Sequence, residues 1–382
     1  CGVERCLFGN GKELHFKKLM DFDTIGGKSN KNGARFDLDA MYVNWLGLSL
    51  KCYLPKSENS LSYVWESLKG KISYCNIKRL MFSSGWRYYA EIVVSGAAPT
   101  RVSIGTSTMG IDPGVSTIAG VSEDACVLEE LAPNAIQYEK KIQKISQSMD
   151  RSRRISNPNK YNEDGTINRS NRDPWKYSKN YVKMCRLLKS LYRKKHAYII
   201  DSHRELCNKL ITIAKYFPVE KMHFQALQKK AKETRRQEKK TEVKQKDGTV
   251  KVIQKYKRKK RFGRSINRRA PARFLLELER KVEAVGGVYA EVDTKKFKAS
   301  QYNHVTDAYE KIPLSQREKE IGKRKVQRDL YSAFLIRNAD LDFKHPDREK
   351  CEYEFEYFAN LQDQLILKMK ESGLSMRQCF GF

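Results

Sequence analysis

A short apolar hairpin that carries one acidic residue is the feature that most constrains the fold of this chain. Residues 109–122 read Met-Gly-Ile-Asp-Pro-Gly-Val-Ser-Thr-Ile-Ala-Gly-Val-Ser. One apolar strand delivers Asp112 into a turn at Pro113 and Gly114, and a second apolar strand runs back. Carboxylates are rarely buried unless they are paired or bind a metal. The hairpin alone therefore leaves Asp112 with two interpretations, a turn residue or a ligand.

The charge of the chain indicates a polyanionic partner. The 382 residues contain 75 Lys and Arg against 45 Asp and Glu, which gives a formal net charge of +30. A compact chain with this charge repels itself unless a polyanion accompanies it, so nucleic acid is the first partner to consider and an anionic membrane surface the second. No apolar run reaches the roughly eighteen residues of a membrane span, so we expect no membrane-spanning helix.

The cysteines favour a reducing compartment. There are nine, scattered without a Cys-x-x-Cys pair, so we expect reduced thiols in the cytoplasm and neither a disulfide framework nor a zinc site. The chain starts at Cys1, with no initiator Met and no secretory signal, and we expect that an N-terminal piece precedes it.

Residues 1–105 are predicted to form a β-rich domain. Short alternating runs of apolar and polar residues recur there, and residues 79–82 and 86–94 predict a hairpin across the Ser-Ser-Gly at residues 83–85. We expect a small barrel with basic loops that binds nucleic acid.

The segment after the apolar hairpin supplies a second acidic residue at a strand position. Apolar residues at helical spacing predict a long helix over residues 178–216. Proline cannot continue a helix, so we expect it to end before Phe217 and Pro218. A short strand over residues 219–224 then carries Glu220.

A strongly basic segment follows Glu220. Residues 229–269 contain nineteen Lys or Arg against four Asp or Glu. Such a run is usually a solvated segment, and it is equally able to bind phosphates as an arm that orders on its ligand. The predicted phosphate contacts are Arg258, Lys259, Lys260, Arg261, Arg264, Arg268 and Arg269.

The last part of the chain supplies a third acid. Residues 270–285 predict an amphipathic helix, residues 288–293 a strand, and residues 326–338 a helix with Asp329 in its first turn. An acid is favoured there by the helix dipole, so Asp329 also has a purely structural interpretation. Residues 341–382 predict a helical tail.

Three acids on separate elements suit one kind of chemistry. Hydrolysis of a phosphodiester requires a nucleophilic water, stabilisation of charge on the phosphoryl oxygens, and help for the leaving oxygen. Two Mg²⁺ ions roughly 3.5 to 4 Å apart supply all three when carboxylates hold them. Asp112, Glu220 and Asp329 could converge at one end of a sheet and serve as those ligands.

The residues around these acids resemble a known family. Gly-Ile-Asp-Pro-Gly-Val at residues 110–115 resembles the first motif of RuvC-type nuclease domains, residues 219–227 resemble the second, and residues 328–336 the third. The order and spacing are similar to the transposon-encoded TnpB nucleases and the related compact type V CRISPR effectors. Ser300 and Gln301 resemble the Ser-Gln that precedes the zinc ribbon of that family.

This resemblance implies a fold and a domain order. It implies an α/β RNase H-like (RuvC) nuclease domain at residues 106–340, with the basic insertion at residues 229–269. A β-rich wedge-type barrel at residues 1–105 would precede that domain, and the helical tail at residues 341–382 would follow it.

The resemblance also implies an activity. The chain would be an RNA-guided DNA endonuclease, cytoplasmic in a prokaryote, whose partners are a guide RNA and a target DNA and no membrane. Asp112, Glu220 and Asp329 would be the catalytic ligands of two Mg²⁺ ions. Residues 302–328 contain none of the cysteines that many members carry there, so we expect no zinc.

Several alternatives remain open. Asp293 and Asp307 are possible substitutes for Asp329, and Glu233 and Glu238 are the nearest downstream rivals of Glu220. Two other functions also fit, an RNA-guided DNA-binding repressor without cleavage and a guide-independent nuclease of the resolvase type.

Overall fold

A computed structural model describes residue 7 and residues 22–96, 98–99, 102–163, 165–228, 236–244, 249–256, 262–313 and 316–374. The chain divides into two compact units. Unit 1 comprises Cys1–Thr100 and Tyr138–Lys195, and unit 2 comprises Arg101–Gln137 and His196–Phe382.

The described strands follow one another closely along the chain. In order they are β1 (Thr24–Gly26), β2 (Arg35–Asp37), β3 (Tyr42–Trp45), β4 (Leu48–Lys51), β5 (Lys71–Phe82), β6 (Gly85–Ser95), β7 (Ser107–Thr108), β8 (Gly110–Pro113), β9 (Thr117–Val121), β10 (Cys126–Glu130), β11 (Ala214–Glu220), β12 (Arg236–Lys244), β13 (Val250–Tyr256), β14 (Val288–Val292), β15 (Tyr302–Asn303), β16 (Ala308–Tyr309), β17 (Glu318–Ile321) and β18 (Arg324–Gln327).

The described helices are α1 (Glu58–Leu68), α2 (Ala135–Ser156), α3 (Lys179–Ile213), α4 (Phe224–Gln228), α5 (Gly263–Arg269), α6 (Pro271–Ala284), α7 (Thr294–Phe297), α8 (Arg328–Arg337) and α9 (Arg348–Glu371). None of the helices in the described part of the chain has a stretch long and apolar enough to traverse a bilayer.

Unit 1 contains two three-stranded antiparallel sheets, β1-β5-β6 and β2-β3-β4. Their shared core is small and includes Phe36, Val43 and Cys75, with Leu68 at the end of α1. The predicted hairpin is confirmed as β5 and β6, which meet where Phe82 pairs with Gly85. Both strands are longer than the sequence indicated: β5 begins at Lys71, and β6 runs from Gly85 to Ser95.

A polar connection in unit 1 is organised around one aromatic ring. Two cations contact the Trp175 ring: the Arg153 guanidinium lies 5.4 Å from its centroid and the Lys160 ammonium lies 5.3 Å from it. Lys160 is buried and donates to the Asn171 carbonyl at 2.9 Å. The Asn157 amide nitrogen donates to the Lys176 carbonyl at 2.7 Å. Cations and amides therefore surround this tryptophan, and residues 157–176 contribute to none of the hydrophobic cores of the described residues.

Unit 2 is a mixed α/β unit built on one sheet with strand order β10-β9-β8-β11-β14, and β7 also pairs with β11. β10, β9 and β8 are antiparallel neighbours, whereas β8, β11 and β14 run parallel. Buried side chains cover both faces. Met109, Ile111 and Phe217 belong to the core that includes residues of α3 and α6. Ala119 and Val121 belong to the core that includes residues of α8 and α9.

The boundary between α3 and β11 differs from the sequence prediction. The helix ends at Ile213, and the strand runs from Ala214 to Glu220 with Pro218 inside it, in register with Ala290 of β14. The prediction placed a helix through residue 216 and a strand only from residue 219. It failed because Pro218 was taken as a residue that ends the helix, whereas it lies inside β11.

Candidate active site

Strand pairing on both sides fixes the position of Asp112. The residue lies on β8, where it pairs with Ala119 of antiparallel β9, while the preceding Ile111 pairs with Val219 of parallel β11. The turn after it closes through the Gly114 amide, which donates to the Thr117 carbonyl at 2.9 Å. Asp112 therefore sits on an internal strand whose backbone has little freedom to move.

Alternation along the strands turns two acids to the same face. Successive side chains of a strand point to opposite faces, and Ile111 and Val219 belong to the core shared with α3 and α6. Asp112 and Glu220 follow them directly, so both carboxyl groups point to the α8 side of the sheet. Their side chains are hydrogen-bonded to each other.

A glycine lets α8 approach this face closely. A Cβ atom on Gly110 would lie 2.2 Å from the carbonyl oxygen of Ala333 and 2.3 Å from the amide nitrogen of Arg337. Since no side chain fits there, the α8 backbone packs directly on β8. This packing brings the first turn of α8 towards the strand end that carries Asp112.

Burial and mutual repulsion raise the pKa values of the two strand acids. Both residues are half-buried at the surface. The pKa of Asp112 is raised well above its ordinary value, first by loss of solvent and then by the Glu220 and Asp329 carboxylates, with Arg328 acting in the opposite direction. The pKa of Glu220 is also raised by burial, although hydrogen bonds to Asp112 and Thr294 lower it. The pair thus favours holding a proton between its carboxyl groups.

Two arginines engage the third acid. Asp329 lies in the first turn of α8, and Gln327 caps that helix by accepting from the Leu330 amide. Arg317 Nη1 lies 3.1 Å from Asp329 Oδ2, and Arg328 Nη2 lies 2.9 Å from Asp329 Oδ1. The Asp329 carboxylate is therefore neutralised by guanidinium groups, although it remains close enough to raise the pKa of both Asp112 and Glu220.

The three predicted carboxylates thus share one region, as a hydrogen-bonded pair and a neighbour held by arginines. Within the residues that the structure describes, no three His, Cys, Asp or Glu side chains are arranged to hold a metal ion as they stand. Both oxygens of Asp329 accept from arginines. Ligation by all three acids requires that Asp329 exchange these partners.

The rival acids have other partners. Asp293 caps α7 by accepting from the Lys295 amide, and Asp307 accepts from the Tyr302 hydroxyl at 2.8 Å. Glu238 is exposed on β12, and Glu233 lies outside the described residues.

The predicted phosphate contacts are only partly described. Arg258, Lys259, Lys260 and Arg261 lie outside the described residues, while Arg264, Arg268 and Arg269 lie on α5. Arg264 is exposed. Arg269 is buried and ion-paired with Glu130, and its carbonyl oxygen lies 2.9 Å from His203 Nε2. The Arg269 side chain is therefore engaged within unit 2.

Sequence reasoning missed three polar neighbours of the acids, which are Arg317, Arg328 and Thr294. Arg328 adjoins Asp329 in the chain, so its proximity could have been anticipated. Arg317 and Thr294 carry no such signal, because the fold alone brings them to the site.

Comparisons with known proteins give a match among solved structures alone. No family model and no curated protein matches the chain. Among solved structures, the chain is similar to one titled a cryo-EM structure of a CRISPR-Cas12f ternary complex, with 14% sequence identity and a TM-score of 0.32. The similarity covers 83% of this chain and 51% of that one, so the chain spans about half the length of that protein.

Proposed function

We propose that this chain is a metal-dependent nuclease that cuts DNA at a site directed by a bound RNA, with Asp112, Glu220 and Asp329 as its catalytic carboxylates. The observation that carries the proposal is the convergence of these three acids from β8, β11 and α8 on one face of the unit 2 sheet. Structural acids rarely gather in this way, because their mutual repulsion costs stability unless a cation offsets it.

The sheet topology supports a nuclease of the RNase H class. When the five strands β8, β9, β10, β11 and β14 are numbered 1 to 5 by their order in the chain, their order across the sheet is 3-2-1-4-5. The second strand is antiparallel to both of its neighbours. This is the arrangement expected for the RuvC-type fold that the motifs around Asp112, Glu220 and Asp329 resemble. The first acid lies on the central strand, where backbone pairing on both sides fixes its position.

The donor set fits magnesium. Carboxylate oxygens are the ligands that Mg²⁺ prefers, and it commonly uses one or two of them together with substrate phosphates. Asp112 and Glu220 would hold the ion once their shared proton leaves, and Asp329 would complete the set after release from its arginines. Two bound Mg²⁺ ions would activate the attacking water and stabilise charge on the phosphate.

The side chains of the chain itself have defined tasks in this proposal. Asp112 provides a fixed point, because β8 is paired on both sides. Thr294 hydrogen-bonds Glu220 and thereby orients its carboxyl group. Arg317 and Arg328 concentrate positive charge beside the acids and so favour the approach of a phosphodiester.

Direction by RNA is supported by the sequence. The net charge of +30 exceeds what one small catalytic site requires and suits a chain that carries a polyanion permanently. The motif order around the three acids resembles that of nucleases whose specificity resides in RNA–DNA pairing.

A second candidate is an RNA-guided DNA-binding protein that does not cut. It is favoured by the two guanidinium groups that already satisfy Asp329. If these ion pairs persist with DNA bound, the site lacks its third ligand and binding alone remains.

The test begins with the RNA. The protein is purified from cells that carry its flanking DNA, washed at high salt, and the retained RNA is sequenced. Matching target DNA is then incubated with this complex in Mg²⁺ or in EDTA. The same assay uses D112A and E220A, with E129Q as the matched control, since Glu129 lies on β10 of the same sheet but pairs with Lys209.

We expect one structured RNA with a variable end, and Mg²⁺-dependent cutting by the wild type and E129Q but not by D112A or E220A. Equal cutting by all four proteins would refute the assignment of the acids. Tight guided binding without cutting selects the second candidate, and cutting of branched DNA without RNA selects a resolvase-type nuclease.

A further inference from the structure

One stretch of unit 1 contains cations and no acids. From residue 174 to residue 195 the chain has no Asp or Glu. The same stretch contains eight Lys and Arg, which are Lys176, Lys179, Lys183, Arg186, Lys189, Arg193, Lys194 and Lys195. All but the first lie on α3. The stretch lies outside the basic segment at residues 229–269.

Helical geometry places six of these cations on one face. An α-helix turns about 100° per residue, so the six fall within an arc of about 140° and extend over roughly 22 Å of the helix. This cationic stripe consists of Lys179, Lys183, Arg186, Lys189, Arg193 and Lys194. Arg193 is half-buried, and the other five side chains are exposed.

Acids elsewhere in unit 1 do not neutralise the stripe. Glu139 pairs with Lys195, on the other side of α3, at 3.0 Å. Asp150 pairs with Arg153 and Arg154 of α2. In the part of unit 1 that the structure describes, no ion pair joins the stripe to a carboxylate. Like charges three or four residues apart destabilise a helix, so the stripe costs free energy unless a polyanion covers it.

The stripe continues onto the tip of the β5–β6 hairpin. The Lys189 ammonium lies 5.5 Å from the Trp86 ring centroid. The Arg193 guanidinium lies 3.8 Å from the Phe82 ring centroid, and its Nε donates to the Met81 carbonyl at 3.2 Å. Helix and hairpin therefore form one surface within unit 1, with charge along the helix and aromatic rings at its end.

The aromatic end has a ring available for stacking. Tyr88 lies two residues after Trp86 on β6, so both side chains point to the same face of the hairpin. The Tyr88 side chain is 68% exposed, which leaves its ring open to solvent on the hairpin face that carries Trp86. Unpaired bases stack on such rings, and unpaired bases are the usual target of protein recognition in structured RNA.

We infer that the cationic stripe and Tyr88 form a binding surface for structured RNA, with backbone phosphates along α3 and an unpaired base on Tyr88. At about 3.4 Å of rise per phosphate on one strand, 22 Å corresponds to roughly six phosphates, one for each cation. The inference rests on the proposed function only in naming RNA as the partner, because the charge and the exposed ring by themselves favour a nucleic acid of either kind.

The experiment measures the salt dependence of RNA binding. The probe is a fluorescein-labelled RNA stem-loop with an unpaired tail, and a DNA duplex of the same sequence serves as comparison. The stripe variant is K179Q/K183Q/R186Q. The matched control is K209Q/K344Q/R348Q, which removes the same charge from residues that are each ion-paired to an acid. Far-ultraviolet circular dichroism verifies that both variants keep their helices.

We expect the slope of log Kd against log salt for RNA to fall by about two to three in the stripe variant, since each lost phosphate contact contributes about 0.7 to 0.9. The control should change the slope by less than about one. Y88A should weaken binding of the stem-loop by about tenfold and leave the salt slope unchanged, because stacking releases no counterions.

Equal slope changes in the stripe and control variants would overturn the inference, as would a larger loss for the DNA duplex than for RNA. These outcomes leave the proposed nuclease intact, since cutting depends on Asp112 and Glu220. Wild-type protein that binds no RNA at any salt concentration would overturn both the inference and the guided function.

Discussion

Replacing Asp112 with Asn should stabilise the metal-free protein. Asp112 and Glu220 share a hydrogen bond, and the pKa of each carboxyl group is raised by burial. At neutral pH the wild-type pair must either keep one carboxyl group protonated above its ordinary pKa or carry two negative charges close together. An amide at position 112 still donates a hydrogen bond to Glu220 and carries no charge, so D112N removes this cost.

Coulomb's law sets the size of the effect. Two carboxylates about 4 Å apart repel by about 4 kcal/mol at an effective dielectric constant of about 20. Arg328 lowers the pKa of Asp112, so its guanidinium offsets part of this repulsion and about 2 kcal/mol remains to be relieved. For a unit of this size, about 2 kcal/mol corresponds to a rise in Tm of about 4 to 8 °C.

The direction in which the stability of the wild type changes with pH follows from the raised pKa of Asp112. As pH rises from about 4, the folded wild type retains protons that the unfolded chain has lost, so its stability falls across the window up to the raised pKa. D112N should show a smaller fall. Its advantage over the wild type should therefore grow with pH and be smallest in acid.

The assay is thermal unfolding in EDTA and in Mg²⁺, with D124N as a control because Asp124 is exposed in the loop between β9 and β10. Magnesium at a hundredfold excess over Kd should stabilise the wild type by about 2.7 kcal/mol and D112N far less. If D112N is less stable than the wild type in EDTA, or if Mg²⁺ stabilises both equally, the repulsive carboxyl pair is not a metal site.

Three further predictions follow from individual contacts. R317Q should raise the affinity of the nucleic-acid-free protein for Mn²⁺ by about tenfold in equilibrium dialysis. One charge-assisted hydrogen bond worth about 1.5 kcal/mol then no longer holds Asp329. An unchanged affinity contradicts the competition between arginine and metal for this carboxylate. G110A should destabilise unit 2 by about 3 kcal/mol in chemical denaturation, because its Cβ forces α8 away from β8, and a change below about 0.5 kcal/mol contradicts the close packing. K319M should flatten the rise in the free energy of unfolding between pH 8 and pH 10.5. Burial lowers the pKa of Lys319 to about 8 from 10.5, so between these two pH values the unfolded state binds a proton that the folded state has lost, and stability rises with pH. An unaltered rise in K319M shows that another group titrates.

The elements of unit 2 were predictable where the signal is local. The hairpin around Asp112 depends on a Pro-Gly turn between apolar runs, and the predicted amphipathic helix and the strand that follows it are confirmed as α6 and β14. Each of these signals lies within a few consecutive residues. The end of α3 was predicted less well, because Pro218 was taken as a helix stop and lies inside β11.

The site was less predictable, because its electrostatics depend on contacts distant in sequence. The β17–β18 hairpin brings Arg317 to Asp329, as the Arg328 amide donates to the Arg317 carbonyl at 2.8 Å. Lys319 illustrates the same limit. The sequence Glu-Lys-Glu-Ile in β17 suggests one buried residue, yet Lys319 is also buried and donates to the Tyr302 carbonyl at 2.7 Å.

The three acids differ in how firmly the backbone holds them. Asp112 lies on a strand paired along both edges, Glu220 is the last residue of its strand, and Asp329 lies in the first turn of a helix. Ions of different radius would therefore be accommodated by displacement of Glu220 and Asp329 around an unmoving Asp112. In the proposed metal site, tolerance for the larger Mn²⁺ or Ca²⁺ would thus be set by the end of β11 and the start of α8, and exchange of one ion for another would leave the centre of the sheet undisturbed.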